Sequence, residues 1–333
     1  MPHYCILPHP GVSQVFFDAS EPLSLAELAL ALRRLETRCE NARAEDLEGL
    51  RLYAFDAEHP LSGDDLRRLA GLSSLYALFL REGAALRPIR LKRDAPFRGD
   101  LSGILKYTGK TNALFTRLML HIAELSLPQA PTAPLRVLDP VAGKGTTLFE
   151  ALMRGFDACG IEIVAKAAHE AAVYFQKYLE TEKIKHKAHK EKMHGMSTWK
   201  FQFAADKQTL RDAPGEWMMV AGDSSQADRF FGKNAFDIIA GDLPYGVAHG
   251  NIAGARASRS PEALLRACLP AWRAVLRPGG VLALSWNTFV LPAEKMAAIL
   301  QENGFSCLRD APYDALAHRV DASIRRDIVV ARK

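Results

Sequence analysis

The sequence predicts an α/β chain: a mostly parallel sheet over its larger part, preceded by a small α/β unit. Two observations carry this. From about residue 100, short apolar runs alternate with longer stretches of helical spacing. Strands alternating with helices imply right-handed crossovers and therefore parallel neighbours. Before residue 80 the alternation is shorter, and no internal repeat is present. Composition agrees, because 48% hydrophobic and 24% charged residues over 333 positions describe a globular chain of one or two domains.

The elements follow in order. Val15-Phe16-Phe17 reads as a strand. Residues 23–35 have helical spacing, with Ser24 a candidate N-cap before Glu27. Residues 50–55 alternate as a strand. Residues 62–69 read as a capped helix with Asp64 and Asp65 in its first turn, and residues 75–80 as a buried strand. Arg81, Arg87, Arg90, Lys92, Arg93 and Arg98 then form a basic stretch. It is either a solvated linker or a strap for phosphates. These features place the first domain at residues 1–95 and the second at 96–333.

In the second domain, strands are expected at residues 135–138, 158–161, 217–221, 236–240, 281–286 and 327–331. Helices are expected at 148–154, 164–179 and 261–276, the last closed by Arg277-Pro278-Gly279-Gly280. In such a sheet the ligand lies over the carboxyl ends of the strands, where the strand order reverses. A basic insertion, residues 177–215, interrupts the rhythm. Lys177, Lys183, Lys185, Lys187, Lys190, Lys192 and Lys200 stand there against Glu180, Glu182 and Glu191. The two readings are a solvated helix end and an RNA-contacting surface. His186, His189 and His194 lack cysteines or suitably spaced carboxylates, so no metal is expected.

Composition excludes several classes. The balance of 43 Lys plus Arg against 38 Asp plus Glu leaves only +5, so whole-chain charge is a weak sign of nucleic acid. No run reaches the roughly 20 apolar residues of a membrane span, and no secretory signal is expected. Cys5, Cys39, Cys159, Cys268 and Cys307 are scattered without Cys-x-x-Cys spacing. That pattern suits a reduced, cytoplasmic protein.

Four constellations carry chemistry. The first is Asp139-Pro140-Val141-Ala142-Gly143-Lys144-Gly145-Thr146-Thr147, between a strand and a helix. Gly143 and Gly145 permit a tight turn and close approach of a ligand, and the helix N-terminus favours a carboxylate. Asp139 can accept hydrogen bonds from an ammonium or hydroxyl. The spacing matches neither G-x-x-x-x-G-K-[ST] nor G-x-G-x-x-G, so a nucleotide-phosphate site is disfavoured. Glu162, at the next strand end, is placed to grip ribose hydroxyls. Asp223, with Ser224 in Gly222-Asp223-Ser224, is placed to bind an adenine amine. Together these describe an adenosine bearing a charged amino-acid tail: S-adenosylmethionine.

The fourth constellation is Asp242-Leu243-Pro244-Tyr245-Gly246. An exocyclic base amine is a poor nucleophile because its lone pair is delocalised into the ring. Two acceptors aimed at its hydrogens localise that pair: the Asp242 carboxylate and the Leu243 carbonyl. Pro244 stiffens the turn, and Tyr245 can stack on the base for roughly 1–3 kcal/mol. Holding the amine in line with a sulfonium methyl supplies on the order of 7–11 kcal/mol.

At these motifs, residues from about 100 to 333 resemble the Rossmann-like, S-adenosylmethionine-dependent methyltransferases that act on amino groups, with their seven-stranded sheet. Asp139–Thr147 is similar to that group's cofactor motif. Asp242-Leu-Pro-Tyr is similar to its [Asp/Asn/Ser]-Pro-Pro-[Tyr/Phe] motif, with Leu243 in place of the first proline. The Asp-Leu-Pro-Tyr-Gly form most resembles the RNA guanosine N2-methyltransferase branch, including tRNA enzymes that carry a THUMP domain. Lys106–Asn112 also resembles a segment of that branch, which implies that Thr108 and Asn112 pack on the cofactor. The resemblance implies a cofactor site of Thr108, Asn112, Asp139, Pro140, Gly143, Gly145, Thr146, Thr147, Glu162, Asp223, Ser224 and Asp242. It implies a catalytic turn of Asp242, Leu243, Pro244 and Tyr245. About 95 residues are too few for a ferredoxin-like unit plus a full THUMP domain, so only a small ferredoxin-like α/β unit is expected.

The expected reaction is methyl transfer to an exocyclic base amine in RNA, guanosine N2 of tRNA first. Arg90, Lys92, Arg93, Lys183, Lys185, Lys187 and Lys190 are the candidate RNA contacts. The alternatives are a DNA adenine-N6 or cytosine-N4 methyltransferase, which would use the same base extrusion, and a non-catalytic RNA-binding subunit. A partner protein that supplies RNA recognition is compatible with all three. Carbon-5 pyrimidine methylation needs a nucleophilic cysteine, and neither Cys159 nor Cys268 falls on a strand-end loop.

Overall fold

The computed structural model describes residues 1–10, 14–91, 97, 100–103, 110–129, 133–244 and 260–333. It divides into two compact units. The first is Met1–Asp94 together with Arg309–Asp327, and the second is Ala95–Leu308 together with Ile328–Lys333.

The first unit contains β1 (His3–Pro8), α1 (Gln14–Ala19), α2 (Glu21–Leu32), β2 (Cys39–Leu47), β3 (Leu50–Ala57), α3 (Gly63–Leu69), β4 (Leu75–Glu82) and β5 (Ala85–Ile89). Its five strands form one antiparallel sheet in the order β2-β3-β1-β4-β5. Tyr4 of β1 stacks on Phe55 of β3, with ring centroids 5.4 Å apart. Glu27 is buried in α2, and its carboxylate accepts from the Ser73 amide at 2.9 Å and the Ser73 hydroxyl at 2.6 Å. The Ser62 cap is reciprocal. Its hydroxyl accepts from the Asp65 amide, and the Asp65 carboxylate accepts from the Ser62 amide, both at 3.1 Å.

Three local expectations change here. Val15-Phe16-Phe17 lies in helix α1, because an apolar run of three carries no period of its own. Helix α2 starts at Glu21 rather than near Ser24, since Pro22 fits a first turn and Ser24 is buried inside the helix. Arg81 and Arg87 sit on the β4–β5 hairpin rather than in a linker. Arg81 pairs with Glu45 at 2.9 Å and Arg87 with Glu82 at 3.0 Å.

The second unit contains α4 (Ala113–Leu125), β6 (Arg136–Asp139), α5 (Thr146–Met153), β7 (Asp157–Glu162), α6 (Ala165–Thr181), β8 (Lys185–Met193), β9 (Met196–Ala204), α7 (Lys207–Asp212), β10 (Gly215–Ala221), α8 (Ala227–Phe230), β11 (Phe236–Asp242), α9 (Pro261–Val275), β12 (Leu276–Asn287), α10 (Ala293–Glu302) and β13 (Ser306–Leu308). After β14 (His318–Arg319), strand β15 (Arg325–Arg332) carries the chain back into this sheet. The strand order is β13-β15-β12-β11-β6-β7-β10-β9-β8, with β14 paired to β15. Strands β10, β7, β6, β11 and β12 are parallel. The chain runs outward from β6 through β7 to β10, then returns to the other side of β6 for β11 and β12. The order therefore reverses between β6 and β11. This is a mixed α/β fold with a Rossmann-like methyltransferase sheet and a small antiparallel N-terminal unit.

Among the described residues seven strands in the order β13-β15-β12-β11-β6-β7-β10 form the expected sheet, and the β8–β9 hairpin and β14 bring it to ten. The main addition is the β8–β9 hairpin, which occupies the insertion in place of a solvated helix end. Its two-residue tip, His194-Gly195, has φ of 49° and 84°, the twist that suits a hairpin. Trp199, Phe201 and Phe203 alternate inward along β9 and are buried. Phe201 lies 5.4 Å from Trp217, which lies 5.3 Å from Phe175 of α6.

Gly160, inside β7, leaves no space for a side chain. A Cβ there would stand 2.8 Å from both the Ala142 Cβ and a Leu148 methyl. Overpacking of this kind costs about 1–3 kcal/mol. Gly160→Ala is expected to lower the urea midpoint by that amount with an unchanged slope; an unaltered midpoint would show that the Ala142 loop yields freely.

Candidate active site

The site begins where β6 stops. Asp139 is its last residue and is 2% exposed. Its carboxylate accepts from the Val141 amide at 3.0 Å and is also hydrogen-bonded by Thr147. The chain then turns through Pro140 to Gly145, and Gly143 and Gly145 take φ of 53° and 86°. Left-handed backbone of this kind favours glycine. The turn is anchored by the Ala142 amide, which donates to the Ile161 carbonyl at 2.9 Å. Helix α5 starts immediately behind, with Thr146 and Thr147 buried in its first turn.

Glu162 ends β7, and its two oxygens hold two loops. One accepts from the Gly143 amide at 2.8 Å and the other from the Val164 amide at 2.7 Å. Each oxygen keeps a lone pair for a further donor. Next to it, Ile163 is 55% exposed, an apolar side chain at a polar edge. Strand β10 ends one register step away, where the Gly222 amide donates to the Glu162 carbonyl at 3.0 Å. Asp223 follows and is exposed. It caps a short 3-10 turn by accepting from the Ser225 amide at 2.8 Å. Ser224 faces inward instead: its hydroxyl accepts from the Trp272 indole at 2.9 Å.

Asp242 ends β11. Thr111 donates to one carboxylate oxygen at 2.6 Å, and the Ser285 hydroxyl donates to the other. The Leu243 amide donates to the Ser285 carbonyl at 2.8 Å, which fixes the next peptide. Leu243 is buried and Pro244 exposed. Thr111 and Ser285 are the functional candidates that motif reading overlooks. Asn112, beside Thr111, caps α4 by accepting from the Leu114 amide at 2.9 Å. Thr108, Tyr245, Lys92 and Arg93 lie outside the described residues.

Electrostatics sets the character of the pocket. Burial pushes the Asp139 carboxyl up to about 7, and the nearby Asp242 and Glu162 charges add to the rise. Burial also raises Glu162, against the two amides that hold it. S-adenosylmethionine carries an ammonium and a sulfonium, a ribose diol and an adenine. Asp139, Glu162, Asp223 and the exposed Ile163 are the matching chemistry, so the residues fit the group. Burial pushes the Cys159 and Cys268 thiols up to about 12, so neither is a ready thiolate nucleophile.

The basic candidates separate. Arg90 is exposed beyond β5. Lys183 is exposed in the turn before β8, with φ of 56°. Lys185 and Lys187 share one face of β8, while Lys190 is on the other, 5.4 Å above the Trp199 ring. A metal-capable grouping in the first unit, His3, Cys5 and Glu45, is occupied by ion pairs. Glu45 holds Arg43 at 2.8 Å and Arg81 at 2.9 Å, and His3 lies 2.8 Å from Asp56. Among the described residues no helix is long and apolar enough to cross a membrane.

A sheet of this strand order, with acids at the ends of β6, β7, β10 and β11, has the fold of the S-adenosylmethionine-dependent methyltransferases. No protein-family model matches the chain, and no curated protein matches it in sequence. Among solved structures it is similar to TrmN from Thermus thermophilus, at 17% identity over 100% of both chains with a TM-score of 0.45. It is similar to the 1,6-didemethyltoxoflavin-N1-methyltransferase of Burkholderia thailandensis, at 18% identity over 66% of this chain and 78% of that one, TM-score 0.40. A third is the ribosomal protein L11 methylase of Lactobacillus delbrueckii subsp. bulgaricus, at 16% identity over 65% and 80%, TM-score 0.36.

The raised Asp139 carboxyl has a consequence for stability. The folded chain holds this proton more tightly than the unfolded one, whose carboxyl titrates near 3.8. Stability is therefore full below about pH 4 and declines as pH rises toward about 7, by about 4 kcal/mol in the limit. Asp139→Asn is expected to be more stable than wild type at pH 8 and to lose that advantage at pH 4, as read by urea midpoints. Calorimetry should show roughly 10- to 100-fold weaker S-adenosylmethionine binding in the same variant. Equal midpoints at both pH values would mean that Asp139 is ionised without penalty.

Proposed function

We propose that this protein transfers a methyl group from S-adenosylmethionine to an exocyclic amine of a base in RNA, with guanosine N2 of tRNA as the first candidate. The observation that carries it is the turn at the end of β11. Asp242 is oriented by two hydroxyls, and the Leu243 peptide is tied to β12 on the same strand edge as Asp139 and Glu162. A carboxylate oriented by two hydroxyls, beside the acids Asp139 and Glu162, suits a neutral amine that becomes cationic as it reacts.

S-adenosylmethionine supplies an electrophilic methyl on a sulfonium. Asp242 accepts one amine hydrogen and the Leu243 carbonyl the other. This draws the nitrogen lone pair out of the ring and aims it at the methyl carbon. As the nitrogen–carbon bond forms, the carbon–sulfur bond breaks and its electron pair stays on sulfur. The nitrogen, now positive, gives its extra proton to Asp242 and thence to water. Thr111 and Ser285 keep the carboxylate from rotating while this happens. Buried Leu243 and exposed Pro244 leave one flank of the turn dry and the other open to substrate.

Wild-type protein incubated with labelled S-adenosylmethionine and total RNA should label the tRNA-sized fraction, and digestion should yield N2-methylguanosine. Label in genomic DNA as methyladenine or N4-methylcytosine would overturn the RNA assignment and keep the amine chemistry. Asp242→Ala should lower methyl transfer by at least about a hundredfold while cofactor affinity changes by less than tenfold. A wild-type rate in that variant would remove Asp242 from the mechanism.

The β8 lysines supply the second support, a cationic strand on the edge of the sheet. Replacing Lys183, Lys185, Lys187 and Lys190 by Gln should weaken RNA binding and flatten its salt dependence, by roughly 0.7–0.9 in log–log slope for each phosphate no longer neutralised. Cofactor affinity should not move. An unchanged slope would leave these lysines as solvated surface only.

A further inference from the structure

The loop after β12 displays an aromatic side chain that the fold does not use. Phe289 is 62% exposed and its neighbour Val290 is 44% exposed, whereas Trp286, Asn287 and Leu291 on either side are buried. The turn is tightly tied. The Trp286 indole donates to the Leu291 carbonyl at 2.7 Å. The Asn287 carbonyl accepts from the Val290 amide at 3.0 Å and the Leu291 amide at 3.2 Å, and its side-chain oxygen accepts from the Phe289 amide at 3.1 Å. A buried asparagine thus holds a short turn that points an apolar pair at solvent. A phenylalanine ring left in water gives up the burial that would stabilise the fold, and a ring whose backbone is already ordered loses less entropy when it meets a ligand.

Its position gives this ring a role. Ser285, which orients Asp242 and receives the Leu243 amide, pairs in register with Asp242 and lies four residues before Phe289. The turn therefore rises from the same strand edge as the amine site, directly after the strand that braces it. Pro244, two residues beyond Asp242, is exposed as well.

On the strength of the proposed function, we infer that Phe289 is a stacking contact for an unpaired base of the RNA substrate, at the rim of the amine site. An aromatic face is the chemistry that accepts any base without reading its hydrogen bonds, so the contact would serve binding rather than discrimination between bases. Val290 adds apolar surface beneath the sugar. Phe289 is a positioning residue: it holds the substrate next to Asp242 and touches none of the reacting atoms.

The test compares wild type, Phe289→Ala, Phe289→Leu and Phe289→Trp on one methyl-accepting RNA, with cofactor affinity and thermal midpoint measured alongside. Phe289→Ala and Phe289→Leu should raise KM for RNA by roughly tenfold or more. Their kcat should stay within about twofold at saturating RNA, and cofactor affinity and midpoint should not change. Phe289→Trp should restore the wild-type KM, because tryptophan stacks and leucine does not. Equal KM for wild type and Phe289→Ala, with RNA methylation intact, would overturn the stacking role and leave the proposed function standing. A Phe289→Leu variant that rescues as well as tryptophan would also overturn it, in favour of plain apolar contact. Wild-type protein that binds the cofactor yet labels no RNA would overturn the proposed function and this inference together.

Discussion

Three carboxylates stand at the carboxyl ends of three neighbouring parallel strands, and the fold must hold them there largely away from water. Asp139, Glu162 and Asp242 end β6, β7 and β11, which are adjacent in the sheet. Burial disfavours the charged forms of Asp139 and Glu162. The chain answers with hydrogen-bond donors. Backbone amides at Val141, Gly143 and Val164 and hydroxyls at Thr111, Thr147 and Ser285 take up the oxygens. Lys144, in the turn after β6, pairs with Glu170 at 2.6 Å. Small residues make room for this arrangement. A Cβ on Gly241 would stand 3.0 Å from an Asp139 oxygen.

Much of this is legible in the sequence because the relevant signals are local. Each central strand is a short apolar run that stops at an acid or a glycine, so the strand ends and the residues on them can be read together. Asp139, Glu162, Asp223 and Asp242 all stand at such ends. The residues that brace them cannot be read in this way. Thr111 and Asp242 are separated by 131 positions, and a lone hydroxyl carries no pattern that announces such a partner. Ser285 lies inside an apolar strand, where a serine passes for a tolerated small residue. Ser224 reads as available to a ligand, and only the packing of α9 reveals that Trp272 donates to it.

The β8–β9 hairpin misleads for a different reason. Lysine and histidine at six of nine positions hide a strand whose two faces are both polar. The usable signal lies in its partner, where Trp199, Phe201 and Phe203 repeat at a period of two. The composition of β8 also answers a hazard common to open sheets. An edge strand offers unpaired amides to any passing strand, and a row of lysines makes that pairing unfavourable. The lysines of β8 therefore keep the sheet from extending into another molecule.

The first unit is discontinuous along the chain, and this orders events during synthesis. Its opening 94 residues emerge from the ribosome first, yet Arg309–Asp327 belongs to it as well. Arg33 donates to the Ala311 carbonyl at 3.1 Å, and the Phe16 and His318 rings meet edge to face at 6.2 Å. Nascent β1–β5 must wait, unfinished, while some two hundred residues of the larger sheet are made. Contacts so distant in sequence form late and slowly. The unit that starts first is thus completed only after most of the larger sheet has been made, and cutting the chain after Asp94 removes part of the fold it was meant to isolate.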